Sequence, residues 1–231
     1  LIRRIVETVS ASGKIQPEIE VKITAEVSGQ IVELPVKEGD IVQQGDLLVR
    51  INPDIYNSAL NRTDAALNTA RSNLASSKAR KAQAEAQFIA ADQSFKRNKK
   101  LHEEGVISQA EFDQATSAFE IAKADVIAAE EGINSAEFAI RSAQASRNEA
   151  VDNLKRTTLI APQSGTVTAL TKEVGESVLG TSMMQGEEIM KVSDLRNMEV
   201  NVEVNESDIV RVALGDTAMI EVDAYREEIF K

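Results

Sequence analysis

Cysteine and tryptophan are absent from this 231-residue chain, and histidine occurs once, at His102. Without cysteine there can be no disulfide, zinc–thiolate cluster, iron–sulfur ligation or cysteine nucleophile. A single histidine leaves little room for histidine-based metal or triad chemistry. The composition therefore argues against an enzyme, and neither a cofactor nor a metal site is predicted.

Positive charge is also scarce, with 26 Lys and Arg against 37 Asp and Glu and a formal net charge of -11. Binding to nucleic acid requires a basic stripe that neutralises the phosphate backbone, so the charge balance argues against a nucleic-acid partner. No apolar run approaches the roughly 20 residues that a membrane helix needs. With 42% hydrophobic residues, the chain can nevertheless bury a core.

Proline is missing from the stretch between residues 54 and 161, which contains only two glycines, Gly105 and Gly132. The stretch is rich in Ala, Gln, Glu, Lys and Arg, a composition typical of long helices. Gly105 lies near its middle and supplies its tight-turn signal, so we predict two helical arms folded into an antiparallel hairpin. The alternative, a continuous helix or a dimeric rod, would have to carry Gly105 within the helix.

A seven-residue repeat predicts how the two arms pack. On each arm a large residue recurs every seven positions, with a small residue three positions later. The large sets are Leu60, Leu67, Leu74, Lys81, Phe88 and Phe95, and Phe112, Phe119, Val126, Ile133, Ile140, Arg147 and Leu154; the small sets are Thr63, Ala70, Ser77, Ala84 and Ala91, and Ala115, Ala122, Ala129, Ala136, Ala143 and Ala150. Such a repeat predicts a left-handed supercoil with closely approaching backbones. Lys81 and Arg147 are expected to extend toward solvent, and Gly132 to mark a bend.

The segments on either side of the predicted hairpin are related to each other. Residues 25–42 align with residues 161–178 without a gap, and after five extra residues in the second copy, residues 45–51 align with residues 186–192. Each copy reads as short strands separated by glycine turns. A copy of about 30 residues is too small to bury a core alone, so the two copies are predicted to pack together in one sandwich.

The spacing of glycines, acids and apolar residues in the first copy resembles that of a split biotinyl/lipoyl domain. The residues that carry this resemblance are Gly29, Gly39, Asp40, Val42, Gly45 and Leu48. A lipoyl-like domain interrupted by a long coiled-coil hairpin resembles the periplasmic adaptor subunits of tripartite efflux systems. These are the membrane fusion proteins of the HlyD family, of the macrolide-efflux or RND type.

The resemblance implies an elongated, modular α+β protein with three parts. These are a partial β-barrel domain from residues 1–21 and 194–231, a split lipoyl-like β-sandwich from residues 22–52 and 157–193, and the antiparallel α-helical hairpin from residues 53–156. The remainder of the barrel and an inner-membrane anchor are expected in segments outside this chain.

The resemblance also implies a function in the periplasm. The chain is expected to link an inner-membrane ABC or RND transporter to a TolC-type outer-membrane channel, for export of drugs or other small molecules. Copies are expected to assemble side by side, as a hexamer in the assembled pump. Two alternatives stay open: an adaptor for type I protein secretion, and a structural coiled-coil tether without a channel. A lipoyl or biotinyl carrier is disfavoured because the hairpin occupies the position of the modified lysine.

Three residues near the predicted hairpin tip match the pattern of adaptors that dock TolC-type channels, namely Arg97, Leu101 and Ser108. The resemblance implies that Arg97 and Ser108 hydrogen-bond the channel tip and that Leu101 packs between its helices. Each also has a local explanation. Ser108 with Glu111 forms a capping-box pattern, Arg97 lies in a basic last turn that complements the helix dipole, and Leu101 could cover the turn.

Two further groups of residues could be considered as metal ligands, but neither is predicted to bind a metal. His102 beside Glu103 and Glu104 makes an incomplete shell of ligands on a turn. Met183 and Met184 have no histidine or cysteine nearby in the sequence and are expected to pack against the lipoyl-like core.

Overall fold

The computed structural model describes residues 8–180, 186–222 and 225–230. Within them the chain is α+β, as predicted, and contains two long helices, α1 (Asp54–Glu103) and α2 (Gln109–Lys155). The strands are β1 Ser12–Thr24, β2 Gly29–Glu33, β3 Ile41–Val42, β4 Leu47–Ile51, β5 Thr158–Ile160, β6 Gly165–Leu170, β7 Ser177–Val178, β8 Glu188–Glu203, β9 Ile220–Val222 and β10 Tyr225–Phe230. A short 3-10 helix occupies Ile209–Arg211.

Eight strands form two four-stranded sheets, with the orders β1-β8-β6-β3 and β5-β4-β2-β7. Each sheet takes strands from both copies of the duplicated segment. In the alignment of the copies, β2 corresponds to β6, β3 to β7, and β4 to the first part of β8. The two sheets therefore have the same strand order, and the prediction of one sandwich built from both copies is confirmed.

Backbone hydrogen bonds that join the copies occur in equivalent pairs. The amide of Gly39 donates to the carbonyl of Val167 at 2.8 Å, and the equivalent amide of Gly175 donates to the carbonyl of Ile31 at 2.9 Å. Gly39 and Gly175 have φ values of 93° and 97°, in the left-handed region that glycine adopts without a steric penalty. Since each bond links one copy to the other, neither copy completes its sheets alone.

The hydrophobic core lies between the two sheets and is itself nearly twofold. Its equivalent pairs are Ile23 and Leu159, Ala25 and Ala161, Ile31 and Val167, Val42 and Val178, Leu48 and Ile189, Val49 and Met190, and Ile51 and Val192. Val27 also belongs to the core, whereas its counterpart in the second copy is Gln163. The side-chain Nε2 of Gln163 is buried without a hydrogen-bond partner, so the symmetry is broken at this position.

Strands β1 and β8 are longer than the sandwich and continue beyond it as a two-stranded ribbon. Their antiparallel pairing runs from Thr24 opposite Glu188 to Ser12 opposite Glu203. Strands β9 and β10 form a separate two-stranded sheet. That both ends of the chain contribute to a partial barrel stays a prediction. The predicted domain boundaries fall inside β1 and β8, which pass them without interruption, and the division into domains stays a prediction.

The two helices are antiparallel neighbours, which confirms the hairpin and excludes a continuous helix. Every residue of the predicted large and small sets is buried or partly buried. Near the tip the seam is aromatic, with ring centroids 5.4 Å apart between Phe88 and Phe119 and 5.9 Å apart between Phe95 and Phe112. The heptad pattern therefore identified the packed face of both helices.

The two charged residues at seam positions pair across the hairpin, in addition to reaching toward solvent. The Nζ atom of Lys81 lies 3.2 Å from the carboxylate of Glu130, and Arg147 forms an ion pair with Asp64. All four side chains are partly exposed, so each pair contributes at most about 1 kcal/mol. The two pairs show which residues of α1 and α2 lie at the same position along the hairpin axis.

Helix α2 continues through Gly132 without interruption, so the structure shows no break at this position. A Cβ atom added to Gly132 would meet no atom within 4 Å, whereas Gly105 has a φ of +76°. The two glycines of the hairpin therefore differ, because only Gly105 is required by the backbone conformation.

Gly132→Ala should raise the free energy of unfolding by about 1 kcal/mol, because alanine has the higher helix propensity and enters open space. Gly105→Ala is the matched control and should lower it by about 1 kcal/mol, because a Cβ atom strains the left-handed conformation. Urea denaturation followed by far-UV circular dichroism measures both changes. Destabilisation by Gly132→Ala would contradict this assignment.

Candidate functional site at the hairpin tip

Helix α1 ends in a Schellman motif. The amide of Val106 donates to the carbonyl of Leu101 at 2.9 Å, and the amide of Gly105 donates to the carbonyl of His102 at 3.0 Å. Together with the positive φ of Gly105, these bonds satisfy carbonyls that the helix leaves free at its end. The chain thereby reverses within the few residues between Glu103 and Gln109.

Helix α2 begins with the predicted capping box. The hydroxyl of Ser108 accepts a hydrogen bond from the amide of Glu111 at 3.3 Å, and the Glu111 carboxylate accepts one from the Ser108 amide at 2.9 Å. The backbone and side-chain hydrogen bonds from Ser108 hold the pKa of Glu111 below its usual value. The local explanation of Ser108 is thus confirmed, while its side chain stays exposed.

Stacked aromatic rings pack between the two helices next to the turn. The imidazole of His102 stacks on Phe112, with centroids 4.9 Å apart and planes 6° from parallel. Phe95 in turn stacks on Phe112 and on Phe119, with centroids 5.9 and 5.0 Å apart. The tip is therefore anchored by the same seam that holds the helices together.

The three sequence-predicted residues all lie at this end of the hairpin. Arg97 and Leu101 are four residues apart on α1, so they occupy the same face of the helix, and Ser108 caps α2 beyond the turn. Arg97 and Ser108 are exposed, and Leu101 keeps 36% of its surface accessible. The structure brings the three residues to one end without a hydrogen bond between them.

The charges near the tip leave Arg97 available. In the basic run that precedes the turn, Lys96 pairs with Asp92 at 2.6 Å, and Lys100 lies 3.9 Å from Glu104. Among the described residues, Arg97 makes no ion pair. Its guanidinium can therefore donate several hydrogen bonds to an external acceptor without first breaking an internal pair.

Sequence reasoning missed two features of the tip. Val106, directly after the turn glycine, is 66% exposed and adds a second exposed apolar side chain to the tip beside that of Leu101 in the sequence pattern. His102 continues the heptad seam, and its spacing of seven residues after Phe95 could have revealed this.

A metal site was considered at His102 in the sequence analysis, and the described part of the chain bears on it. The described residues contain no group of three or more histidine, cysteine, aspartate or glutamate side chains placed to hold a metal ion. Met183 and Met184 lie outside the described residues. Neither of the long helices described is apolar enough to cross a membrane.

A duplicated sandwich with a long hairpin inserted between its halves is the architecture of membrane fusion proteins. The chain belongs to this family, since residues 19–186 match the barrel-sandwich hybrid domain of the RND membrane fusion proteins. It is 29% identical over 216 residues to the macrolide export protein MacA of Escherichia coli O157:H7, covering 94% of this chain and 54% of that protein. It is 33% identical over 208 residues to the pyoverdine export membrane fusion protein PvdR of Pseudomonas aeruginosa, covering 90% and 49%. The chain thus spans about half the length of these relatives.

Solved structures support the same fold. The crystal structure of MacA from Actinobacillus actinomycetemcomitans superposes with a TM-score of 0.68 at 27% identity, covering 97% of this chain and 65% of that chain. The membrane fusion protein Spr0693 from Streptococcus pneumoniae R6 has a TM-score of 0.61 at 15% identity, covering 96% and 79%, and is similar in fold alone.

Ser108→Ala should lower the free energy of unfolding by about 1 kcal/mol, whereas Ser108→Thr should lower it less, because threonine also caps a helix and its hydroxyl can still donate to Glu111. Thermal and urea denaturation measure the difference. Because the pKa of Glu111 is lowered in the folded state, its stabilising effect is complete above the unfolded pKa and is lost as the pH falls through the folded pKa. The Ser108→Ala variant should therefore lose less stability at a pH below the folded pKa of Glu111 than at neutral pH. A loss of stability that is the same at every pH would contradict the capping box.

Proposed function

We propose that this chain acts in the periplasm as the adaptor of a tripartite efflux system. The hairpin tip contacts a TolC-type outer-membrane channel, and the opposite end of the molecule faces an inner-membrane ABC or RND transporter. The observation that carries the proposal is a folded tip that leaves Arg97, Leu101 and Val106 exposed at the end of the hairpin.

The residues that build the tip differ largely from those that would bind at it. Gly105, Phe112 and the Ser108 cap account for the local fold, whereas the guanidinium of Arg97 has no ion pair among the described residues. Arg97 would donate hydrogen bonds to oxygen atoms of the channel tip, a geometry suited to its planar fork of donors. Leu101 and Val106 would leave water against an apolar groove, which stabilises the contact by about 25 cal/mol for each Å² of apolar surface buried.

Ser108 can take part in both the fold and the contact. Its hydroxyl accepts from one amide and donates to the Glu111 carboxylate at 2.9 Å, and the side chain stays exposed. A hydroxyl oxygen has two acceptor sites, so one remains for a donor on the channel.

The function is mechanical and involves no covalent step. The 50 residues of α1 make a rod of about 75 Å, long enough to hold a channel well away from the sandwich. The relatives named for macrolide export, pyoverdine export and multidrug resistance support a small-molecule cargo. Several copies, six in the assembled pump, would enclose the path of that cargo.

Arg97→Asp and Leu101→Asp should each weaken channel binding at least tenfold, because they remove a charge-assisted donor and an apolar anchor from the centre of the contact. Site-specific crosslinking to the channel and drug susceptibility of a strain that depends on this protein measure the effect. Arg71→Asp is the matched control, because Arg71 is also exposed and has no ion pair among the described residues, yet lies far from the tip.

Ser108→Asp separates docking from folding, because it retains the helix cap while adding a negative charge to the tip. It should reduce channel binding, and far-UV circular dichroism should show that the hairpin still folds although the bond from Ser108 to Glu111 is lost. Unchanged channel crosslinking and unchanged drug resistance in the variants at positions 97, 101 and 108 would exclude this contact and favour a structural tether.

A further inference from the structure

The hairpin is joined to the sandwich mainly by the chain itself. Strand β4 leads into α1 and β5 follows α2, and these two strands are neighbours in one sheet. Among the described elements, neither long helix packs along a strand. Two adjacent chain connections define a line, and a rod held only on a line can tilt about it. A further contact away from that line is therefore needed to fix the direction of the hairpin.

Residues 25–28, which we call the crossing segment, lie where such a contact is needed. They connect β1 of one sheet to β2 of the other, so they cross one end of the sandwich. It is the end from which the hairpin leaves, because the amide of Asn52, just before α1, donates to the carbonyl of Gln30, at the start of β2, at 2.8 Å. The crossing segment therefore begins beside the base of the hairpin and leads toward the second sheet.

Helix α1 is tied to the crossing segment by Tyr56, in its first turn. The hydroxyl of Tyr56 donates a hydrogen bond to the carbonyl of Ser28 at 2.7 Å. The side chain is partly buried and packs against the core of the sandwich. A tyrosine can bury its ring and still place its hydroxyl on an acceptor at the edge of the core, so this contact fixes both the position and the direction of the side chain.

Helix α2 is tied to the same segment by Arg156, the residue at its C-terminal cap. The Nε atom of Arg156 lies 3.4 Å from a carboxylate oxygen of Glu26. Both side chains are about half exposed, so this pair is the weaker of the two ties. The two arms of the hairpin are thus held at positions two residues apart on one short segment.

The crossing segment is itself held against the second copy of the duplicated sequence. The Ser28 hydroxyl accepts a hydrogen bond from the amide of Gly180 at 3.0 Å and donates one to its carbonyl at 3.2 Å. A Cβ atom added to Gly180 would lie 2.3 Å from the backbone nitrogen of Val27, so the two backbones are in direct contact. The amide of Ala25 donates to the carbonyl of Glu187 at 2.9 Å. The segment is therefore anchored at both of its ends.

We propose that Tyr56 and Arg156 are positioning residues, which set the direction of the hairpin relative to the sandwich by holding both helices on the crossing segment. The length of the hairpin makes this direction important, because a rod of about 75 Å that tilts by about 10° moves its tip by about 13 Å. Arg97 and Leu101 are only about 6 Å apart along α1, so such a tilt would carry both away from a fixed partner. The direction is a property of the chain alone, and only its consequence for channel docking rests on the proposed function.

Distance measurements between two spin labels test the positioning role, because the chain has no native cysteine to interfere with labelling. Val32→Cys places one label on β2, and Lys78→Cys places the other on α1, about 36 Å along the helix from its first residue. Both positions are exposed. Double electron–electron resonance then reports the distribution of hairpin directions as a distribution of distances.

Tyr56→Phe in the labelled chain should broaden this distribution, because it keeps the ring but removes the hydroxyl. The population of tilted hairpins should rise about fivefold, which is the effect of losing one ordinary hydrogen bond. Far-UV circular dichroism should show unchanged helix content. An unchanged distance distribution in Tyr56→Phe would overturn the proposal.

Thr69→Val is the matched control. The hydroxyl of Thr69 donates to the carbonyl of Ala65 at 3.0 Å, so this variant also removes one side-chain hydrogen bond from α1, but one that stays within the helix. It should leave the distance distribution as it is. Equal broadening in Thr69→Val and Tyr56→Phe would show a general loosening of the helix and would overturn the role of Tyr56.

Charge exchange tests the second tie. Arg156→Glu and Glu26→Arg each place like charges together and should each raise the population of tilted hairpins about twofold. The double variant restores an opposite pair and should restore the narrow distribution. Failure of this restoration would overturn the positioning role of Arg156, since a merely local loss of stability would not be recovered by the exchange.

These measurements use the chain without a channel or a transporter, so their outcome is separate from that of the tip variants. An unchanged distribution in Tyr56→Phe would overturn the positioning role even if the tip variants lose channel binding. A broadened distribution in Tyr56→Phe, together with normal channel binding in the tip variants, would support the positioning role and exclude the proposed docking contact.

Discussion

Reciprocal strand pairing between the two copies of the duplicated segment is the constraint on which the molecule depends. It brings β4, which leads into α1, beside β5, which follows α2. The amide of Ile51 donates to the carbonyl of Thr157 at 2.8 Å, and Thr157 is almost fully buried. Both helices therefore leave the sandwich from adjacent positions, and an insertion of more than a hundred residues becomes a hairpin whose arms start in register.

The seam carries this geometry to the far end. Alternation of large and small residues lets the two helices pack closely. The ion pairs of Lys81 and Arg147 join residues at the same position along the hairpin axis. Next to the turn, the ring of His102 stacks on that of Phe112. The tip itself is specified by local hydrogen bonds. The side chains of Arg97 and Leu101 take no part in these bonds and stay exposed, as the proposed contact at the tip requires.

Much of this structure was predictable because the responsible interactions are local or periodic. The heptad repeat identified the buried face of each helix, since a repeat near the helical period selects one side. Ser108 with Glu111 predicted the start of α2, since a capping box involves residues three positions apart. The duplication predicted a shared sandwich because neither copy has enough apolar surface to bury alone.

Long-range pairing decided the rest. The order of strands in each sheet, the extension of β1 and β8 beyond the sandwich, and the partners of Lys81 and Arg147 all join residues far apart in the chain. The exposure of Val106 also depends on how the two arms meet at the turn. The amino-acid sequence alone thus determined the elements, the seam and the turn, because their signals lie within a few residues of each other. Only the tertiary structure decided which surfaces remain exposed, because the exposure of a side chain depends on whether distant parts of the chain pack against it.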